Sequence, residues 1–226
     1  MFSAAIFDMD GLLIDSERVY MHAWIEAARA AGVELRPEAY VSVIGLADAE
    51  SDGFLTGLLG GPEVFADVGA AVDKRFGAAT DEPAFPLKRG ARELLALLRE
   101  AEIPCAVASS TCAADVRRRL AEVGVLGHFA ALAGGDEVPR GKPDPAVYQL
   151  AARRLGTPPA ACLAFEDSEH GALAALGAGA QVVLVPDLRA PPPKLATRSL
   201  RVLATLTDAI EHAPSWFAID NCLSKP

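Results

Sequence analysis

The chain has 226 residues, of which 51% are hydrophobic and 23% are charged, and its formal net charge is -9. This composition excludes a disordered or fibrous polypeptide and allows a substantial core. The acidic balance argues against a protein that binds nucleic acid or an anionic membrane surface. An anionic substrate of such a chain therefore needs a bound metal ion or a well-placed cation.

No apolar run approaches the ~18 residues that a membrane-spanning helix needs. The N-terminal segment reaches Asp8 and Asp10 without the basic stretch and long apolar stretch of a secretory signal. These features predict a cytoplasmic protein that does not bind membranes. No feature of the sequence marks a subunit interface, and a monomer is compatible with it.

Four short apolar runs predict the strands of an open parallel sheet. They lie at residues 4–7, 104–108, 161–165 and 181–185, and a weaker run lies at 130–133. Helical patterns separate most of them, including apolar stripes at 19–31, 94–98 and 116–123, whereas the tail after about Ala213 looks irregular. The sequence therefore predicts an α/β fold with a doubly wound, Rossmann-like parallel sheet and helices on both faces.

The interval between the first strand and the next clear one is too long for a single crossover connection. Residues from about 16 to 84 show helical patterns only. The simplest account is a small helical domain inserted after the loop of the first strand. We therefore expect an α/β core formed by residues 1–15 and 85–226, and a helical domain formed by residues 16–84.

Polar residues follow each of the four clearer predicted strands. Asp8 follows the first, Ser109 the second, and Glu166 and Asp167 the third, while Asp187 lies just beyond the fourth. The carboxyl ends of parallel strands open onto the ligand crevice of such a sheet. We therefore expect these side chains to converge on one site.

Their chemistry is that of a hard-cation and phosphate site. Mg²⁺ takes oxygen ligands, which Asp8 and Asp167 could supply with Glu166 close by. A lysine such as Lys142 neutralises phosphate charge, and a serine hydroxyl such as that of Ser109 donates to a phosphoryl oxygen.

Two carboxylates two residues apart, Asp8 and Asp10, can both face a ligand if Gly11 lets the chain leave extended geometry. A carboxylate aimed at phosphorus can act as a nucleophile. The second acid can then protonate the leaving oxygen and later activate water. A P-loop is excluded, because Pro143 stands where Ser or Thr would bind Mg²⁺.

Four segments in this order resemble the haloacid dehalogenase-like superfamily, and within it the branch of β-phosphoglucomutase and small sugar-phosphate phosphatases. They are DMDGLLIDSE from Asp8, ASS from Ala108, GKPDP from Gly141 and FEDSEHG from Phe165. The resemblance implies a Mg²⁺-dependent phosphatase that hydrolyses a small phosphomonoester, such as a sugar phosphate, through an aspartyl phosphate. It also implies that the inserted domain is a cap that closes over the substrate.

The same resemblance implies a role for each matching residue. Asp8 is the nucleophile, and Asp10 is the general acid and base, with its backbone carbonyl also on the metal. Phosphate is bound by Ser109, Ser110, Lys142 and Gly11, and Mg²⁺ by Asp8, Asp10, Asp167 and Glu166. Candidate specificity residues of the cap are Ser16, Glu17 and Tyr20.

Several alternatives stay open at this point. Ser110 and Thr111 also fit the start of a helix as N-cap residues, as does Asp167 before the next helix. The mutases of the family carry a cap histidine and arginine where this chain has Tyr20 and Asp48, a difference that favours hydrolysis over a mutase reaction. A non-enzymatic phosphoacceptor or phospho-ligand sensor is the alternative of another class.

Overall fold

The computed structural model describes residues 1–44, 48–77 and 83–219 of the chain. The chain divides into two compact units. The first comprises Met1–Asp15 and Phe85–Pro226, and the second comprises Ser16–Ala84. Among the described residues, no helix has the length and the apolar character required to cross a bilayer.

The first unit contains a six-stranded sheet in which every pair of neighbours is parallel. Its strands are β1 Ala4–Phe7, β2 Cys105–Ala108, β3 Ala131–Ala133, β4 Cys162–Glu166, β5 Gln181–Leu184 and β6 Arg201–Val202. The order β3-β2-β1-β4-β5-β6 runs outward from β1 in both directions. This topology confirms the predicted doubly wound α/β fold. Strand β6 was not predicted, because two exposed residues carry no apolar pattern.

Helices connect the strands of this unit. They are α5 Ala91–Glu100, α6 Ala113–Glu122, α7 Ala146–Leu155, α8 Glu169–Ala178, α9 Pro193–Arg198 and α10 Leu206–Phe217, numbered after the four helices of the second unit. Strands β1, β2 and β4 are buried along their whole length. Many of the buried residues are alanines, whose small side chains let α7 and α8 approach the sheet closely.

Helix α10 differs from the prediction of an irregular tail after Ala213. It continues through Pro214 to Phe217, and both Trp216 and Phe217 are buried. The backbone N–H of Phe2 donates to the carbonyl of Trp216 at 2.8 Å. Burial of the last aromatic residues thus stabilises a helix end that a proline would otherwise disfavour.

The second unit contains helices α1 Ser16–Ala30, α2 Pro37–Val43, α3 Asp48–Leu58 and α4 Pro62–Gly77. Helices α1 and α4 pack through aromatic pairs. The ring centroids of Trp24 and Phe65 are 5.6 Å apart, and those of Tyr20 and Phe76 are 4.6 Å apart. The described part of this unit is therefore helical, as the stripe at 19–31 predicted for its first helix.

Candidate active site

The candidate site lies at the carboxyl end of the sheet, around β1. Because β1 lies between β2 and β4, the residues that follow these three strands are neighbours. Asp8 follows β1, and its backbone N–H donates to the carbonyl of Phe165 in β4 at 3.0 Å. Ser109 follows β2 and is tied to the carbonyl of Ala133 in β3 in the same way, at 3.0 Å. Glu166 ends β4 and is fully buried.

Lys142 lies between two buried carboxylates at the centre of this edge. Its Nζ lies 2.5 Å from Oδ1 of Asp8 and 2.6 Å from Oε1 of Glu166. The side chain of Lys142 is only 6% exposed, so it has little contact with water. Tyr148 of α7 donates its hydroxyl to the same Oε1 at 2.6 Å. Buried charges are stable only where they are paired in this manner.

The pKa values of Asp8 and Lys142 reflect a group with more carboxylates than cations. Burial raises the pKa of Asp8 from 3.8 to about 8; the ammonium of Lys142 opposes the rise, and the charges of Glu166 and Asp10 add to it. Desolvation acts to lower the pKa of Lys142, but the two carboxylates outweigh it and raise that pKa overall. The raised pKa of Lys142 favours a charged lysine, and the raised pKa of Asp8 favours a neutral carboxyl group. Both follow from the same arrangement: Lys142 is charged because two carboxylates face it, and its single positive charge cannot neutralise both of them.

A metal ion would relieve this imbalance. Asp8, Glu166 and Asp167 each place one carboxylate oxygen within 4.8 Å of those of the other two. Hard oxygen donors with surplus negative charge suit Mg²⁺. The donor set thus fits the cation that the sequence predicts. The carboxylate of Asp10 is not part of this group, so its predicted metal contact would involve its backbone carbonyl.

The first turn of α8 is shaped around Glu166. Ser168 is the N-cap of this helix: its hydroxyl accepts from the N–H of Gly171 at 3.1 Å and donates to Oε2 of Glu166 at 3.2 Å. A Cβ on Gly171 would lie 1.9 Å from Oε1 of Glu166. The cap is therefore Ser168 and not Asp167, for which capping was the alternative role.

Asp10 occupies a separate group of contacts. Its Oδ2 accepts from the hydroxyl of Thr111 at 2.8 Å and from that of Ser109 at 3.5 Å. Its Oδ1 accepts from Nη1 of Arg119 in α6 at 2.9 Å. Gly11 follows with φ of +83°, a backbone conformation that suits glycine and turns the chain directly after Asp10. The two acids of the Asp8–Asp10 pair thus have different partners.

Two expectations for the second strand loop are corrected. The N-cap of α6 is Cys112, without a side-chain cap, so neither Ser110 nor Thr111 serves there. Thr111 instead directs its hydroxyl to Asp10, and its N–H donates to Oγ of Ser109 at 3.0 Å. Ser110 is exposed, and its predicted phosphate contact stays a prediction.

Asp187, the acid beyond the fourth predicted strand, pairs with a lysine. Its Oδ1 accepts from Nζ of Lys88 at 2.6 Å, and Lys88 also lies 3.3 Å from Oδ1 of Asp15. The backbone around these residues forms a short antiparallel bridge between Ile14 and Leu87. Through Lys88, Asp187 therefore helps to join the two stretches of chain that border residues 16–84.

The predicted specificity residues belong to the helical unit. Ser16 is buried, whereas Glu17 and Tyr20 are half-buried. Burial and then the charge of Glu17 raise the pKa of Tyr40, which places that carboxylate near Tyr40. Tyr20 packs on Phe76, as described above, so packing accounts for its position. A role in specificity stays a prediction for all three, and the side chain of Asp48 lies outside the described part of the chain.

With this geometry established, the chain can be compared with known proteins. The sequence model of the haloacid dehalogenase-like hydrolases matches residues 2–179, which include all the strand-end residues of the site. The chain belongs to this family. The resemblance inferred from the four segments is thereby confirmed.

Several known proteins are similar to this chain over most of their length. The validoxylamine A 7'-phosphate phosphatase of Streptomyces hygroscopicus subsp. limoneus is 34% identical over 79% of this chain and 83% of its own. Hexitol phosphatase B of Escherichia coli is 33% identical over 81% and 83%, respectively. The structure of a family hydrolase from Deinococcus radiodurans, with bound phosphate and sodium, matches with a TM-score of 0.82 and 27% identity over 97% of this chain and 98% of that one.

Three contacts of this family member were missed by sequence reasoning. They are made by Arg119 to Asp10, by Tyr148 to Glu166 and by Lys88 to Asp187. Arg119 is the last of three consecutive arginines, which look equivalent in the sequence. A helical projection of α6 could have suggested it, because Arg119 lies three residues after the buried Val116 and therefore on the same side of the helix. The other two partners carry no comparable signal.

Proposed function

We propose that the protein is a Mg²⁺-dependent phosphatase that hydrolyses a small phosphomonoester, such as a sugar phosphate, through an aspartyl-phosphate intermediate. The observation that carries the proposal is the position of Asp8, buried between Lys142 and the acids that end β4, with Asp10 held by other partners. Such a division lets two neighbouring carboxylates perform different tasks. The named phosphatases among the relatives support the same reaction class.

In the proposed first step, a carboxylate oxygen of Asp8 attacks phosphorus. A bond forms between Asp8 and phosphorus while the bond from phosphorus to the leaving oxygen breaks. The carboxyl of Asp10 gives its proton to that leaving oxygen. In the second step, the carboxylate of Asp10 takes a proton from water, which attacks the aspartyl phosphate, releases inorganic phosphate and restores Asp8.

Positive charge and donors around the phosphoryl group would come from several residues. Lys142 offers its ammonium at the position where negative charge develops, and Ser109 offers a hydroxyl. Gly11 and Ser110 complete the proposed phosphate-binding set. A bound Mg²⁺, held by Asp8, Asp167 and the backbone carbonyl of Asp10, with Glu166 in or just behind its shell, would supply further electrostatic stabilisation.

The test is phosphate release from para-nitrophenyl phosphate by the purified protein. We expect release that EDTA abolishes and that added Mg²⁺ restores. Asp8→Asn should abolish turnover, because an amide cannot form the covalent intermediate. Asp115→Asn, which changes an exposed acid of α6, is the matched control and should retain activity. Turnover that persists undiminished in Asp8→Asn would overturn the proposal.

Product analysis separates this proposal from the two alternatives. A mutase would convert β-glucose 1-phosphate into glucose 6-phosphate without free phosphate. A phospho-ligand sensor would form a long-lived phosphoprotein without turnover. Membership in a hydrolase family favours turnover.

The remaining expectations also stay predictions. They are closure of the Ser16–Ala84 unit as a cap, the specificity role of Ser16, Glu17 and Tyr20, a monomeric state and a cytoplasmic location. A screen of phosphorylated metabolites would identify the substrate within the proposed class.

A further inference from the structure

Arg119 differs from the two arginines that precede it in α6. The side chain of Arg118 is 49% exposed and pairs with Asp115 and Glu122 on the helix surface. The side chain of Arg119 is only 12% exposed, and its Nη1 lies 2.9 Å from Oδ1 of Asp10. Burying a guanidinium carries a desolvation cost that a surface position would avoid. The ion pair with Asp10 offsets this desolvation cost and accounts for the buried position of Arg119.

The guanidinium is also fixed from a second side. Its central carbon lies 4.7 Å from the centre of the Phe85 ring, which is cation–π distance. A planar group held by both a carboxylate and an aromatic ring has little freedom to turn. Arg119 thus presents a fixed donor to Asp10.

The other carboxylate oxygen of Asp10 has its own donor. Thr111 donates its hydroxyl to Oδ2 at 2.8 Å, and its backbone N–H is bound to Oγ of Ser109 at 3.0 Å. Two donors on two oxygens fix both the position and the plane of a carboxylate. Asp10 is accordingly oriented by Arg119 on one side and by the loop after β2 on the other.

We infer that Arg119, together with Thr111, is a positioning residue for the acid–base group Asp10. The inference rests on the proposed function, because it gives Asp10 the task of protonating the leaving oxygen. Proton transfer requires the donor within hydrogen-bond reach of that oxygen. A carboxyl group displaced by about 1 Å can lose on the order of a hundredfold in rate. The contacts of Arg119 described above are with Asp10 and Phe85, and we expect its replacement to affect proton transfer by Asp10 more than phosphate binding.

The experiment compares two substrates with different needs for a proton. Dinitrophenyl phosphate has a leaving group that departs without protonation, whereas the leaving group of phenyl phosphate requires it. The value of kcat/KM covers every step up to loss of the leaving group. For Arg119→Ala we expect kcat/KM with phenyl phosphate to fall at least about tenfold more than with dinitrophenyl phosphate. Thr111→Val should shift the ratio in the same direction.

Two further variants keep the test decisive. Arg119→Lys retains the positive charge but lacks the planar guanidinium, so it should keep more of the phenyl phosphate activity than Arg119→Ala. This variant keeps the test informative if Arg119→Ala folds poorly. Arg118→Ala removes the neighbouring surface arginine and should leave the ratio of the two substrates unchanged. Thermal unfolding of each variant reports loss of structure separately from loss of positioning.

The outcomes distinguish the inference from the proposed function. Equal losses for both substrates in Arg119→Ala and Thr111→Val would overturn the positioning role while leaving the phosphatase proposal intact. An unchanged or increased rate with phenyl phosphate would overturn it as well. A wild-type protein that releases phosphate from neither substrate would overturn both.

Discussion

Gly171 leaves the space that the carboxylate of Glu166 occupies. A Cβ on residue 171 would meet Oε1, Cδ and Oε2 of Glu166 at 1.9, 2.1 and 2.1 Å. That carboxylate cannot move freely, because Lys142, Tyr148 and Ser168 all bind it. A backbone position outside the acidic group therefore controls the geometry of the site.

Gly171→Ala should impair the site without removing any of its polar groups. The added methyl must displace Glu166, so we expect a loss of unfolding free energy of about 1 to 3 kcal/mol. We also expect kcat/KM with para-nitrophenyl phosphate to fall on the order of a hundredfold. Urea unfolding and steady-state kinetics measure the two effects.

The same helix provides the control. A Cβ on Gly177 would lie 3.6 Å from Cβ of Pro145, an ordinary van der Waals contact. Gly177→Ala should keep full activity and stabilise the protein by up to about 1 kcal/mol through helix propensity. Equal activity of the two alanine variants would contradict the role assigned to Gly171.

Tyr148→Phe should weaken metal binding more than it weakens folding. The hydroxyl of Tyr148 donates to Oε1 of Glu166 at 2.6 Å, and both side chains are fully buried. Losing a hydrogen bond to a side chain that ligates a metal costs on the order of tenfold or more in metal affinity. The Mg²⁺ concentration for half-maximal activity should rise accordingly. An unchanged value, measured with a folded variant, would show that Tyr148 does not act through Glu166.

The raised pKa of Asp8 should make its contribution to the stability of the metal-free protein fall as the pH rises. Asp8 has a pKa of about 8 in the folded protein against 3.8 as the ordinary value. A carboxyl group whose pKa is raised by folding contributes stability below its unfolded pKa, and this contribution is lost as the pH rises through the folded value. The loss should therefore extend from about pH 4 to about pH 8.

Asp8→Asn removes this titration and allows a direct measurement. In the presence of EDTA, the stability of the variant relative to wild type should increase with pH across that window, at up to about 1.4 kcal/mol per pH unit. Urea unfolding at several pH values measures the difference. A relative stability that stays constant or falls with pH would contradict the raised pKa of Asp8.

Lys88→Met should destabilise the first unit. Nζ of Lys88 lies 2.6 Å from Oδ1 of Asp187, whose side chain is only 2% exposed. Removing one partner of a largely buried ion pair takes away part of the compensation of the other charge, so we expect a loss of roughly 2 kcal/mol. Adding Asp187→Asn should recover part of this loss, and Lys194→Met, an exposed change in α9, should cost little. Wild-type stability of Lys88→Met would refute the importance of this pair.

The strands and the site residues could be predicted because an apolar run and a polar residue directly after it are both visible in the sequence. Apolar runs form β1, β2, β4 and β5, and the ends of β1, β2 and β4 carry the acids and the hydroxyl of the site. Asp187 shows the limit of this reasoning. It also follows a strand, but Lys88 pairs with it, and no local pattern indicates which cation a distant acid will meet.

The helix caps show a similar limit. Ser110, Thr111 and Asp167 all have side chains that suit an N-cap, yet α6 begins after Cys112 and α8 begins after Ser168. Thr111 is used by Asp10 instead. Propensity expresses what a side chain can bind, whereas the tertiary structure supplies the partners that compete for it.

By itself, the sequence determined the fold class, the family and the group of acids at the sheet edge, because strand periodicity and motif order are local properties of the chain. Only the tertiary structure decided the partners of each acid: Lys142 and Tyr148 on Glu166, and Thr111 and Arg119 on Asp10. These contacts join residues far apart in the chain, and their energies depend on burial and distance. A single sequence contains neither quantity.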